Sequence, residues 1–178
     1  MSGRAETSQP EPTIPFGVWL LTEPAGCVHQ AGRPIVPPEL RQRAVRVFAS
    51  GRSVVERTRR GQVAVRSPLD EPAAADTAPV GLVFVELGGP VGVRMLERLG
   101  RQLDADGYLV TVSRSPMDRA GGLVDLAGLT VAAAQRAKLR YLQHIVAVPQ
   151  ASGEPTCDCM AHVDVLVFGR PGREERSR

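Results

Sequence analysis

Three groups of residues in this chain are of types and spacings that could do chemistry. The first is Glu86-Leu-Gly88-Gly89-Pro-Val-Gly92, an acid and three glycines directly behind an apolar run. Bare glycine backbone lets a ligand approach closely, so Glu86, Gly88, Gly89 and Gly92 are candidate cofactor-binding residues. The simpler reading is a tight strand-to-helix turn that uses glycine's backbone freedom. The second group is Cys157-x-Cys159-x2-His162, with Cys27-x-His29 far upstream. Thiolates and imidazoles ligate zinc, but a one-residue gap between cysteines is tighter than structural zinc sites use. Loop thiols and a satisfied histidine are the favoured reading of these residues, and no metal is expected. The third group is the arginine-rich stretch from Gly51 to Ser67, where Arg52, Arg57, Arg59 and Arg60 are candidate nucleic-acid contacts. Guanidinium groups neutralise phosphates whatever the base sequence. No aromatic residue interleaves to stack bases, and arginine is the chain's default cation, since Lys138 is its sole lysine. A solvated charged face is the competing reading. Asp158, Asp164 and His144 form no recognisable acid–base pair, and no nucleophile-elbow or phosphate-loop pattern occurs, so nucleophilic catalysis finds no support.

The elements that would position these groups follow from composition and periodicity. A chain of 178 residues with 43% hydrophobic and 23% charged residues can bury one ordinary core with a small appendage. Eighteen glycines and 15 prolines imply many loops. Net charge is only +3. No apolar run approaches the ~18 residues of a membrane span. With three cysteines and no signal peptide ahead of them, the expectation is a soluble cytoplasmic protein without membrane contact.

Met1 to Thr13 lacks apolar periodicity and reads as a disordered tail over residues 1–14. Phe16 to Leu21 reads as a strand or docked extended segment around Trp19, and Thr22 to Pro38 as a polar loop. Leu40, Ala44, Val47 and Phe48 share one helical face, so Glu39 to Ala49 is a helix, opened by Pro37-Pro38 and closed by Gly51. These elements and the basic stretch make an N-terminal segment over 15–66, and residues 67–79 read as a linker. From Val80 the chain alternates. Gly81 to Leu87 is a buried strand, and Met95, Leu96, Leu99 and Leu103 mark a helix within 91–104. Asp106-Gly107 turns the chain into a second strand, Tyr108 to Ser113. Leu126, Leu129, Ala133 and Ala137 mark another helix, capped by Asp125, and Tyr141 to Val148 is a third strand. This order argues parallel pairing through crossovers. Pro149 to Ala161 carries no helical period, so His162 to Phe168 should return antiparallel beside the third strand. The α/β unit spans 80–171, with a tail over 172–178.

Gly107-Tyr-Leu-Val-Thr-Val-Ser-Arg, Gly122-Leu-Val-Asp-Leu-Ala-Gly, Arg140-Tyr-Leu-Gln-His-Ile-Val-Ala-Val and Ala161-His-Val-Asp-Val-Leu-Val-Phe together resemble the closing half of actinobacterial methyltransferase-like proteins, similar to amino-group DNA methyltransferases. Gly17-Val-Trp-Leu-Leu-Thr faintly resembles the segment preceding the catalytic sheet in such proteins. The resemblance implies a partial Rossmann-like sheet, mostly parallel with an antiparallel C-terminal hairpin. It also implies S-adenosylmethionine as cofactor and a catalytic loop of Asp/Asn/Ser-Pro-Pro-aromatic type that holds a flipped base. Here the slot after the strand at 82–87 reads Leu87-Gly88-Gly89-Pro90, without the polar acceptor or the aromatic. Residues 50–79 look too short and irregular to supply the cofactor-binding strands. In a second alignment, Glu86 to Gly92 is itself the cofactor loop, but Ser113 then stands where an acid should hold the ribose.

The expectation is therefore a degenerate methyltransferase-like protein that binds no cofactor and acts as an interaction module, with nucleic acid as a candidate partner. The alternatives are a working S-adenosylmethionine-dependent methyltransferase on DNA or RNA, and a protein-only oligomeric scaffold. If the cofactor-binding strands are missing, the strand at 82–87 becomes an apolar edge that must be covered. Val18 to Leu21, Gln62 to Arg66, or a second copy of the chain could cover it.

Overall fold

The computed structural model describes residues 15–22, 36–49, 51–57, 63–66, 79–114, 122, 124–149 and 162–170. The two expected tails, most of the expected linker, Cys27, His29, Arg59, Arg60, Cys157, Asp158 and Cys159 lie outside them.

The helix after Pro37-Pro38 forms as its periodicity requires: α1 is Pro38–Ala49, with Leu40, Ala44, Phe48 and Ala49 buried. Glu39 ties it to the preceding strand β1, Phe16–Leu21, by accepting from Thr22 N and Oγ1 at 2.8 and 2.9 Å. Gly51 stops the helix at φ 78°, a left-handed conformation that glycine adopts without steric cost. The chain then supplies two short strands, β2 (Val54–Arg57) and β3 (Val63–Arg66). Residues 50–79 are thus not too irregular for strands, as their composition suggests. Four residues suffice for each because a hairpin needs only a short connection.

The remaining elements are β4 (Val80–Leu87), α2 (Val93–Gln102), β5 (Leu103–Ser113), α3 (Leu126–Arg136), β6 (Arg140–Pro149) and β7 (Val163–Gly169). Asp125 caps α3 as expected, its carboxylate accepting from Gly128 N at 2.7 Å. Two details differ from the periodicity. The second strand does not begin after Asp106-Gly107. It starts at Leu103, which already pairs with Val80, and residues 104–107 bulge out before Tyr108 pairs with Leu82. Leu129 is 49% exposed rather than on the inner face of α3, which buries Leu126, Thr130 and Ala134 instead.

All seven strands join one sheet in the order β1-β6-β7-β5-β4-β2-β3. β1 is parallel to β6, and β4 is parallel to both β2 and β5. β7 is antiparallel to both β5 and β6, so these two run the same way but do not touch. Five of the seven strands share one direction, and β7 closes the chain as an antiparallel hairpin with β6. The fold is therefore a mixed, mostly parallel α/β sheet with the C-terminal hairpin that the methyltransferase resemblance implies. α1 covers one face, over Leu82, Phe84, Val110, Val112 and Ile145. α2 and α3 cover the other, over Val83, Val85, Leu109, Leu166 and Phe168.

β4 is not an edge. Neither strand expected to cover it touches it: β1 lies at the opposite edge, on β6, and residues 63–66 form the outer strand on β2. The cover is β2, in register Val54↔Leu82 to Arg57↔Val85. Arg52 fixes this join. Its guanidinium donates to Asp104 Oδ1 and Oδ2 at 3.2 and 3.4 Å and to the Asp106 carbonyl at 3.2 Å, and it lies 6.0 Å from the centre of the Tyr108 ring. Ser53 O accepts from the backbone N–H groups of both Gly81 and Leu82 at 3.1 Å. A Cβ at Gly81 would stand 2.4 Å from Arg52 Cβ, so only glycine lets the two segments approach this closely. Deleting residues 1–66 should therefore leave residues 67–178 insoluble, because it uncovers both the apolar edge of β4 and the face under α1. Recovery of a soluble, monomeric fragment with a cooperative melt would overturn that expectation.

Candidate functional site

In an open α/β sheet, ligands gather beyond the carboxyl ends of the parallel strands. At that end of this sheet stand Glu86 to Gly92 after β4, Ser113 and Arg114 after β5, and His162 and Asp164 at the start of β7.

The loop after β4 is open. Leu87 is buried, Gly88 and Pro90 are exposed, and Gly92 caps α2 with extended φ/ψ and no side-chain hydrogen bond. The turn does not need glycine's conformational freedom, contrary to the simpler sequence reading. Among the described residues only Gly51 has a positive φ among glycines, and a Cβ at Gly89 or Gly92 would meet nothing within 4 Å. These glycines leave bare backbone rather than permit a strained turn. Glu86 faces Arg114 across β4 and β5. Burial lowers the Arg114 pKa, the Glu86 charge opposes that, and the Arg114 Nε is buried without a hydrogen-bond partner. Ser113 is 1% exposed and pairs in register with Asp164.

Asp164 does form an acid–base pair with His144, although the sequence spacing gives no sign of it. His144 Nε2 lies 2.9 Å from Asp164 Oδ1, and His162 Nε2 lies 3.6 Å from the same oxygen. Asp164 is almost wholly buried, while His144 is half-buried and His162 exposed. The hairpin register Ile145↔Val165 makes His144 and Asp164 diagonal neighbours across β6 and β7, within reach of long side chains. The spacing of 20 residues carries no such signal without the register. Phe16 closes one side of His144 edge-on, with ring centres 5.7 Å apart. No group of three metal-ligating side chains that could hold an ion occurs among the described residues.

The basic candidates separate. Arg52 is committed to Asp104, Asp106 and Tyr108. Arg57 donates to Gln102 Oε1 at 3.4 Å, and its Nε is buried without a partner. On the other face, Arg41 pairs with the buried carboxylate of Glu56. The structure brings no pair of the four arginines together within the described residues, and Arg59 and Arg60 lie outside them.

No family model and no curated protein matches the chain. Among solved structures it is similar to a TehB-like SAM-dependent methyltransferase from Corynebacterium glutamicum, at 19% identity and a TM-score of 0.29. That match covers 54% of this chain and 50% of the other, so the chain spans about half the length of the neighbour. At that score it carries no weight beside the strand order itself. No helix among the described residues is long and apolar enough to cross a membrane.

Tyr141 stands at the other end of the hairpin, opposite Phe168. Burial raises its pKa, and the Asp164 carboxylate raises it further. Below about pH 10 the phenol is protonated whether the chain is folded or not. Above that the unfolded chain releases its proton first, so stability is lost as pH rises through the folded value. Melting temperature should fall less steeply above pH 10 in Tyr141→Phe than in the unaltered protein. Equal slopes in the two would show that the phenol is not perturbed.

Proposed function

We propose that this chain is a methyltransferase-like protein that transfers no methyl group and works as a protein-interaction module. The observation that carries this reading is what lies on the far side of β4. The family resemblance calls there for the cofactor-binding strands, the first running through a glycine loop into a helix. Here β2 has four residues, and only residues 58–62 separate it from the antiparallel β3. Five residues cannot hold a helical crossover, which takes a dozen or more. β2 therefore runs into a hairpin where a cofactor loop would stand. The slot after β4 also offers no polar side chain to accept from a target amine. Leu87 is buried and glycines follow, with no aromatic to stack on a base.

The alternative of a working enzyme draws support from Gly89 and Gly92, whose bare backbone the turn itself does not need. The strand order weighs against it. If Glu86 to Gly92 were the cofactor loop, β5 would be the next cofactor-binding strand and would lie away from the C-terminal hairpin. β5 instead lies between β4 and β7. Ser113, in the place of the ribose-binding acid, is buried against β7. A nucleic-acid partner is disfavoured by the internal engagement of Arg52 and Arg57, since a guanidinium already bound to carboxylate and carbonyl releases fewer counterions on meeting phosphate.

Incubation with labelled S-adenosylmethionine and mixed DNA and RNA should give incorporation no higher than a protein-free control. Calorimetric titration with S-adenosylmethionine should show no saturable heat. Saturable binding together with protein-dependent incorporation would sink the reading.

A further inference from the structure

We infer that the edge of β1 turned away from β6, unpaired among the described residues, pairs antiparallel with β1 of a second copy of this chain, about a two-fold axis at Val18. β1 is an edge strand whose inner side is held by β6. Pro15 O accepts from His144 N, and backbone groups alternate along a strand, so Gly17, Trp19 and Leu21 address β6. Phe16, Val18 and Leu20 then direct their N–H and C=O groups to the open edge. Arg43 fits this assignment: its Nη1 donates to the Leu20 carbonyl at 3.3 Å, leaving that oxygen a second lone pair.

The same three residues are the most exposed large apolar side chains among the described residues. Phe16 is 65% exposed, Val18 55% and Leu20 57%. The run Phe16–Leu21 carries no charge and no proline, the devices by which soluble proteins blunt an edge. It is also self-complementary. With Val18 opposite Val18 of the second copy, Phe16 meets Leu20 on one face, and all the outward backbone groups fall into hydrogen-bonded pairs. On the other face Gly17 meets Trp19. Nothing among the described residues calls for glycine at 17. Its φ is not positive, and an added Cβ would make only ordinary 3.5 Å contacts with Gln143 and Ile145. A glycine in a strand interior without a backbone reason marks a place where something else comes close. In this register that neighbour is the indole, covering glycine as aromatic side chains do in paired strands. The strand itself carries no charge, and the two Arg43 guanidiniums, each at its own Leu20, fall some four strand positions apart, roughly 13 Å. Six residues make a contact small beside the roughly 1,200 Å² at which stable interfaces begin, so the dimer is reversible and dissociates on dilution. This pairing is independent of whether methyl transfer occurs, so either inference can fail alone.

Sedimentation equilibrium of the full chain should show a weight-average mass rising with concentration from 19.1 kDa towards twice that value. Val18→Lys places like charges across the axis at a position already exposed. It should abolish the rise while leaving the circular dichroism spectrum unchanged. Register is read separately. In a hydrogen-bonded antiparallel pair Cα atoms are about 5.5 Å apart, within disulfide range. Val18→Cys should therefore cross-link to itself under mild oxidation, with the 18–18 linkage identified by peptide mapping. Phe16→Cys should not, because its symmetry mate is some four strand positions away, roughly 13 Å. A chain that stays monomeric to its solubility limit would overturn the inference. So would a dimer that survives Val18→Lys, or self-linkage of the Phe16→Cys variant without self-linkage of the Val18→Cys variant.

Discussion

The constraint on which the rest of the structure depends is the burial of β4. Its residues from Val80 to Val85 are all buried, and both its edges are hydrogen-bonded, to β5 and to β2. A strand of Leu, Val and Phe with one open edge would template aggregation. The chain avoids this with a four-residue strand, cheap in ordering entropy, and holds that strand where α1 ends. Gly51 turns the helix, Arg52 reaches back to the β5 bulge, and Ser53 O receives the N–H groups of Gly81 and Leu82 in β4. Three consecutive residues thus connect one helix and three strands.

This arrangement determines what the sheet can do. The carboxyl end of β4 carries an open glycine loop, but its neighbour β2 returns as β3 rather than running into a crossover helix. Charges near the join are used inside the fold: Arg52 with Asp104, Arg41 with Glu56, Arg114 beside Glu86. At the opposite margin the chemistry is reversed. The apolar residues of β1 remain exposed, beside the buried Asp164 carboxylate and its two histidines, His144 and His162.

Much of this was legible in the residues. The period of α1, the apolar run of β4, the Asp125 cap and the antiparallel return of β7 all follow from local patterns, because each is decided by residues close in sequence. What was hidden depends on register or on distant partners. β2 and β3 carry two valines each and look like a charged loop until β4 is beside them. The bulge at 104–107 is where Arg52, some fifty residues away, meets Asp104. His144 and Asp164 meet only through the hairpin register. The glycines of the loop after β4 were visible, but their open surroundings were not, and those distinguish bare backbone from a strained turn.

Residue-resolved hydrogen exchange on the full chain tests the central claim, that β2 rather than solvent or a partner closes β4. In a parallel ladder alternate amides of β4 point to β5 and to β2. Both sets should exchange slowly and with similar protection, opening only with global unfolding, at protein concentrations low enough to exclude association. If the amides turned towards β2 exchange orders of magnitude faster than those turned towards β5, then β4 is an edge and the cover described here does not exist.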